Sequence, residues 1–290
     1  MDHASVLLQI RSRYLSFNTA FQKVADYYLA YPSTEYIPIA QVTEVTGVSK
    51  ATVSRFIQEM GYSSYKSFQM DLVRANHIVQ ESTHDDFFGY ADVTASDSPR
   101  EIGRKVFLSN VRALEETLEL VDFSVLKKMT DHISLGGQVC IFASGRSFVT
   151  ADSIRKRLMR LDIPCTTYND PHEQALASTM TKPNDLIIGI SAFGRSASVI
   201  RAMRRSAKNG SLVIGVSSYQ GTPIVKAADH MIYTATSDPI LHSSEPSCTT
   251  VTHIVVFDCL YMMLVMKNLS QVRHLLKEGA IAMQDERLPL

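Results

Sequence analysis

A chain of 290 residues with 45% apolar content is long enough for two globular domains. Its 29 basic and 29 acidic residues cancel and tryptophan is absent, so bulk charge announces neither a nucleic-acid nor a membrane partner. The four cysteines, Cys140, Cys165, Cys248 and Cys259, show no CxxC spacing, which argues against a thiolate metal site and fits buried free thiols in a reducing cytoplasm.

The first residues lack a basic segment followed by a long apolar run, so no signal peptide is expected. From Ser5 to Leu29 apolar residues recur at helical spacing, with Phe17, Phe21, Val24, Ala25 and Tyr28 on one stripe before Tyr31-Pro32 ends the helix. Ile39 to Thr46 then predicts a short helix, Gly47-Val48-Ser49 a turn with a cap, and Lys50 to Met60 a second helix stopped by Gly61.

That order is a helix-turn-helix pattern. Val42, Val45, Val48, Val53, Ile57 and Met60 are placed toward the core, which turns Ser49, Lys50, Ala51, Thr52, Ser54, Arg55 and Gln58 outward. Small polar groups with Lys and Arg suit phosphates and base edges in a major groove, so Ser49, Lys50, Thr52, Ser54, Arg55 and Gln58 are the candidate DNA contacts. A protein-binding helical bundle is the plainer reading of the same pattern. Between Val45 and Ala75 four basic residues (Lys50, Arg55, Lys66, Arg74) face two acidic ones (Glu59, Asp71), a surplus of two. With so weak a surplus, useful affinity requires at least a dimer presenting two recognition helices.

Ser63 and Ser64 cap a further helix carrying Tyr65, Phe68, Leu72 and Ile78, and residues 81–98 turn polar and aperiodic. The chain therefore reads as a helical domain over 1–80, a linker over 81–98, and a second domain over 99–290. Beyond Pro99 an amphipathic helix (Ile102, Val106, Leu108, Val111, Leu114, Leu118) and another near Phe123 to Ile133 lead into alternating strands and helices. Strands are expected at Val139 to Ala143, Cys165 to Tyr168, Leu186 to Ile190, Leu212 to Val216 and His230 to Ala235. Helices are expected at Ser147 to Leu161, Pro171 to Met180 and Ser196 to Lys208, with a short one near Pro223 to Ala228. Such alternation specifies a doubly wound, flavodoxin-like parallel sheet of about five strands. The apolar run Thr252 to Met266, interrupted by His253 and Asp258, is short for a membrane span and reads as a buried helix.

Two strands in this series run into matching Gly-Arg-Ser turns: Ser144-Gly145-Arg146-Ser147 and Ser191-Ala192-Phe193-Gly194-Arg195-Ser196. Glycine lets backbone approach a ligand, the following helix N-terminus favours negative charge, and serine hydroxyls with arginine add donors for a phosphate monoester. Taken singly, each turn is also an ordinary capped strand-to-helix connection. As a pair they converge on one crevice at the carboxyl edge of a parallel sheet.

With a helix-turn-helix ahead of such a domain, the chain resembles the RpiR (MurR/RpiR) family of bacterial regulators, whose C-terminal SIS (sugar isomerase) domain binds a phosphosugar. The resemblance rests on Val48 to Phe56, on Met60-Gly61-Tyr62 continuing to Tyr65 and Phe68, on the two loops, on Ala207 to Ser217, and on Ala227-Ala228-Asp229. Two positions depart from the family pattern: Ala143 stands where the first loop usually has glycine, and Phe193 replaces the middle serine of the second. Arg146 and Arg195 are read as compensating, which favours a sugar phosphate or sugar-acid phosphate.

The resemblance implies Ser147, Ser191 and Ser196 as phosphate contacts, with Ser144, Gly145, Arg146, Gly194 and Arg195 around them. Ser217, Ser218 and Glu245 are weaker candidates. It further implies a double-stranded DNA operator, a homo-dimer or homo-tetramer, and no catalytic residue, cofactor, metal or membrane partner. The alternative is a sugar-phosphate isomerase, for which His172, Glu173, His242 and Glu245 offer bases. The loops lack GxGxxG spacing, so a dinucleotide is not expected, and the nine scattered histidines show no ligand pattern.

Overall fold

The computed structural model describes residues 5–30, 36–77, 93–236 and 248–284. They fall into two compact units, one formed by Met1–Leu120 with Tyr219–Gly221 and Ala235–Cys248, the other by Val121–Ser218, Thr222–Thr234 and Thr249–Leu290.

In the first unit, α1 (Val6–Arg13) and a 3-10 turn (Tyr14–Ser16) precede α2 (Thr19–Ala30), so the single helix expected over Ser5 to Leu29 is broken. Phe17 is extended (φ −76°, ψ 144°), and the Asn18 carboxamide oxygen accepts the Phe21 N–H at 3.0 Å, restarting the helix. The break turns Phe17 edge-on to Phe56, with ring centroids 5.3 Å apart.

Helices α3 (Ile39–Thr46) and α4 (Lys50–Glu59) follow as the sequence predicts. Gly47 closes α3 in the left-handed region (φ +69°), where its N–H donates to Thr43 O at 3.0 Å. Ser49 Oγ then accepts the Thr52 N–H at 3.2 Å and caps α4. Val42, Val53, Ile57 and Met60 are buried, and Val48 is half-buried. Val45, expected inward, is 58% exposed, because α3 buries only a narrow stripe centred on Val42. The centre of this core is Phe56, which also meets Phe21 and Tyr28.

Helix α5 (Tyr65–His77) is fixed by a buried polar chain. Gln69 Oε1 accepts the Ile37 N–H at 3.0 Å, Gln69 Nε2 donates to the Tyr65 hydroxyl, and Tyr65 donates to Ile37 O at 2.6 Å. Of the stretch expected as a linker, residues 81–92 lie outside the described residues. Ser98 and Glu101 form a reciprocal capping box that opens α6 (Pro99–Leu120). Most of the apolar stripe of α6 is not buried: Ile102, Leu108, Val111 and Leu118 are exposed, as is Phe107 at 76%, while Val106 and Leu114 are half-buried and Ala113 and Thr117 buried. The small residues let α6 sit close, and Thr117 Oγ1 accepts the Ala235 N–H at 3.0 Å. The Arg11 guanidinium pairs with Glu116.

The second unit is a five-stranded parallel sheet in the order β2-β1-β3-β4-β5. Its strands are β1 (Val139–Ala143), β2 (Cys165–Tyr168), β3 (Leu186–Ile190), β4 (Leu212–Ser217) and β5 (His230–Tyr233). The central strands β1 and β3 are buried along their whole length, as a sheet covered on both faces requires. Helices α7 (Phe123–Ile133), α8 (Ser147–Met159) and α11 (Thr249–Lys267) pack on one face. Helices α9 (Pro171–Ala177) and α10 (Ala197–Lys208), with a 3-10 turn at Val225–Ala227, pack on the other. A final helix, α12 (Leu269–Ala282), buries only Val272.

Cys140 and Cys165 are free thiols whose burial pushes them up to about 12, which keeps them protonated and unreactive. Helix α11 is long and apolar enough by length and composition to cross a membrane, yet its Val256, Phe257, Leu260 and Leu264 wall the sheet and Asp258 pairs with Arg157 at 2.7 Å.

His253 of α11 is 2% exposed, its Nε2 has no partner among the described residues, and burial holds it down at about 4. The unfolded chain takes up this proton near pH 6.5 and the folded one only near 4, so stability is complete above 6.5 and falls between them, by about 3 kcal/mol in all. Melting temperature should therefore drop from pH 7 to pH 4.5 in the wild type and drop less in His253→Leu. Equal slopes would show that this histidine does not set the acid limb.

Candidate functional site

Strand order places the switch point of the sheet between β1 and β3, where connections leave in opposite directions. Ala143 and Ile190, the last residues of these strands, pair in register, so both Gly-Arg-Ser turns start side by side. From there α8 drops onto one face and α10 onto the other. Two helix N-termini thus open at one edge.

In the second turn Ser191, 3% exposed, is the organising residue. Its Oγ accepts the N–H groups of Arg195 and Ser196, each at 3.2 Å, and donates to Ser196 Oγ at 3.0 Å. Ser196 is the N-cap of α10 but accepts no cap hydrogen bond. Gly194 adopts φ +65°, and a Cβ there would lie 2.0 Å from Thr222 Oγ1. Arg195 is exposed at the mouth.

The first turn is more open. Gly145 also has a positive φ of 59°, with open space around it. Arg146 takes the N-cap position of α8 without a side-chain cap bond, and Ser147 is half-buried in the first helical turn. Ser144 donates to Asn169 O at 3.3 Å and accepts Gln174 Nε2 at 3.1 Å, so it faces the β2–α9 connection.

A third helix starts at this edge, and its chemistry is opposite. Asp170 caps α9, its carboxylate accepting the His172 and Glu173 N–H groups at 2.8 and 3.0 Å. The dipole of α9 is already neutralised by the chain's own carboxylate, whereas α8 and α10 present theirs unneutralised. The pair of Gly-Arg-Ser turns is therefore better suited to an anion than the start of α9, where His172 and Glu173 are exposed.

Ser217 and Ser218 lie behind the second turn. Ser217 Oγ and the Ser218 N–H both donate to Ala192 O, at 3.1 and 2.9 Å, and Ser218 Oγ meets Thr234 Oγ1 at 3.2 Å. Their placement supports the loop from β4. Glu245 and His242 lie outside the described residues. Sequence reasoning missed Gln174, a fully buried amide whose Nε2 binds Ala143 O, Tyr168 O and Ser144 Oγ and so locks the first turn to β2. Nothing local marks it, because a glutamine in a helical first turn is usually solvated. Thr150 is similar: fully buried in the first turns of α8, with Oγ1 unpartnered among the described residues.

In the first unit Ser49, Lys50, Ser54, Arg55 and Gln58 are exposed and Thr52 half-exposed. Ser54, Arg55 and Gln58 lie on the side of α4 opposite Val53, Phe56, Ile57 and Met60, with Lys50 and Thr52 at its flanks and Ser49 at the N-cap. Ser49 and Thr52 hydroxyls meet at 2.9 Å as part of the cap, leaving Lys50, Ser54, Arg55 and Gln58 to reach outward. Arg13 of α1 grips the end of α4, donating to Glu59 O at 2.6 Å and pairing with its carboxylate. That pairing masks one of the two acids that lower the surplus of this segment. Among the described residues no His, Cys, Asp and Glu cluster could hold a metal.

Comparison with known proteins agrees with both halves. Residues 4–77 match the helix-turn-helix domain of the rpiR family, and residues 133–264 match the SIS domain. An HTH-type transcriptional regulator of Haemophilus influenzae is 22% identical over 262 residues, covering 90% of each chain. Among solved structures, the Vibrio vulnificus NanR protein complexed with ManNAc-6P superposes with a TM-score of 0.61 at 21% identity, over 98% of this chain and all of that one. The sugar isomerase domain of an RpiR transcription factor from Sphaerobacter thermophilus gives 0.56 at 20% identity, over 62% of this chain and 98% of that one.

Gly194→Ala and Gly145→Ala separate strain from space. A left-handed alanine costs about 1–2 kcal/mol at either position, and the contact with Thr222 adds about 1–3 kcal/mol at Gly194 alone. Urea unfolding should rank Gly194→Ala clearly below Gly145→Ala, and equal losses would mean that the Gly194–Thr222 approach is not close.

Proposed function

We propose that this chain, whose residues 4–77 match the rpiR-family helix-turn-helix domain and 133–264 the SIS domain, is a transcriptional regulator that controls sugar-metabolism genes through a phosphosugar bound between the α8 and α10 N-termini. The observation that carries this reading is electrostatic: two uncapped helix N-termini lie beside each other at the switch point, next to one closed by Asp170. The Ser147, Ser191 and Ser196 hydroxyls and the N–H groups of both turns take the phosphate. Arg146 and Arg195 hold its remaining charge or a sugar carboxylate, in place of the hydroxyl lost at Phe193.

The recognition helix α4 reads operator DNA in the major groove with Lys50, Ser54, Arg55 and Gln58, while Ser49 and Thr52 lie at its N-terminus near the phosphates. A second copy completes the DNA-binding form. Phe107, Val111 and Leu118 make an exposed apolar stripe on α6, as a helix that pairs with its own copy would carry. The protein acts in the cytoplasm without cofactor and without turnover: an rpiR-type DNA-binding domain and regulator relatives support a sensor in preference to an isomerase. Occupancy at the SIS loops couples to DNA affinity by about 1–3 kcal/mol, a roughly 5- to 150-fold change.

The effector site is tested by supplying α10 with the cap that α9 already has. Ser196→Asp adds about 0.3–1 kcal/mol of dipole interaction and should abolish the melting-temperature rise that sugar 6-phosphates and sugar-acid phosphates give the wild type. A full rise in the variant would place the phosphate elsewhere. For the DNA site, Arg55→Ala should weaken binding to a duplex selected by the protein from a random library by about 5- to 150-fold, the worth of one bidentate base contact, with the effector response retained. Unchanged affinity would remove Arg55 from the interface.

A further inference from the structure

The outer face of α10 is densely cationic. The helix carries Arg201, Arg204, Arg205 and Lys208 and no carboxylate. At about 100° per residue these four lie within an arc of about 100°, opposite Val199, Ala202, Met203 and Ser206, which are buried on the sheet. Arg201, Arg204 and Lys208 are exposed and Arg205 half-exposed.

Several other cations of this unit are paired. Arg155 and Lys156 hold Asp152, Arg157 holds Asp258, and Lys127 and Lys267 share Asp131. Among the described residues none of the four α10 cations has an ion-pair partner. Exposed Lys226 on the 3-10 turn packed against α10, and exposed Arg195 ahead of it, add to the same sign; Glu173 in the first turn of α9 is the acid on the adjoining helix. Arg205 and Lys208 in the last turn suit the helix dipole, but Arg201 and Arg204 stand mid-helix, where neighbouring like charges repel.

We propose that this stripe is a second contact surface for duplex DNA, its guanidinium and ammonium groups following one phosphate backbone over about 10 Å of helix. It rests on the reading that the chain binds operator DNA, and it supplies what that reading lacks, because the helix-turn-helix segment from Val45 to Ala75 has a surplus of only two charges. A protein partner fits less well: none of the large exposed apolar residues lies on α10, and protein interfaces centre on such anchors. One helix thus carries the effector turn at its N-terminus and DNA phosphates along its flank.

The salt dependence of binding tests this directly. The full-length protein is titrated against a duplex it selects from a random library, at several salt concentrations, beside the variant Arg201→Ala/Arg204→Ala/Lys208→Ala. Each phosphate contact contributes about 0.9 to the slope of log affinity against log salt. The triple variant should lose about two to three units of slope and at least tenfold in affinity at low salt. A charge-matched control, Arg160→Ala/Arg273→Ala/Lys277→Ala, should keep the wild-type slope. An unchanged slope in the α10 variant removes the stripe from DNA while leaving operator recognition intact, and an unchanged slope with an altered sedimentation coefficient assigns it to an acidic protein face instead. Failure of the wild type to select any duplex overturns the DNA reading and the stripe together.

Discussion

Two helix dipoles left open side by side are the constraint on which the second unit depends. Parallel pairing of Ala143 with Ile190 brings the ends of β1 and β3 to one level, and the exits of their helices onto opposite faces leave both helix N-termini at the same edge of the sheet. Uncompensated, such ends are a cost in folding. Ser191 relieves part of it by accepting two N–H groups with one hydroxyl, an arrangement that a phosphate oxygen can join or replace. Asp170 shows how the same chain closes a neighbouring helix with a carboxylate.

The first unit answers a different demand, that of holding an exposed helix rigid. Phe56 anchors α4 from beneath against Phe17, Phe21 and Tyr28, and Arg13 ties its C-terminal end. The outer residues of α4 are therefore presented from a fixed scaffold, which sequence recognition by a few side chains requires. The segment that runs on from β4, Tyr219–Gly221, belongs to this unit, with Gln220 N–H bonded to Ser12 O at 2.7 Å. Covalent continuity therefore runs from this strand of the effector domain into the helical unit.

Much of this was legible in the sequence, for physical reasons. β1 and β3 lie where the apolar runs put them because strands buried on both faces have no polar alternation to blur their ends. The α3–α4 turn was legible because Gly47 and Ser49 are each demanded by backbone chemistry. Periodicity failed where it reports amphipathicity without saying which partner covers it. The stripe of α6 is apolar and mostly outward, Val45 is apolar and exposed, and α12, absent from the sequence expectations, buries a single residue. The break at Phe17 and Asn18 was hidden because Asn18 acts through a cap that composition does not reveal. At the candidate site the loop residues were legible through glycine and serine. Gln174 and Thr150 were not, since their role comes from burial that only the fold creates.

The phosphate of a sugar phosphate is proposed to sit across the α8 and α10 N-termini. Amide chemical shifts of isotopically labelled protein, titrated with a sugar phosphate that raises its melting temperature and in parallel with the unphosphorylated sugar, test it most directly. Large changes are expected at Gly145 to Ser147 and at Gly194 to Ser198 with the phosphate ester alone. Changes centred instead on His172 to Gln174, or equal changes with the unphosphorylated sugar, would contradict it.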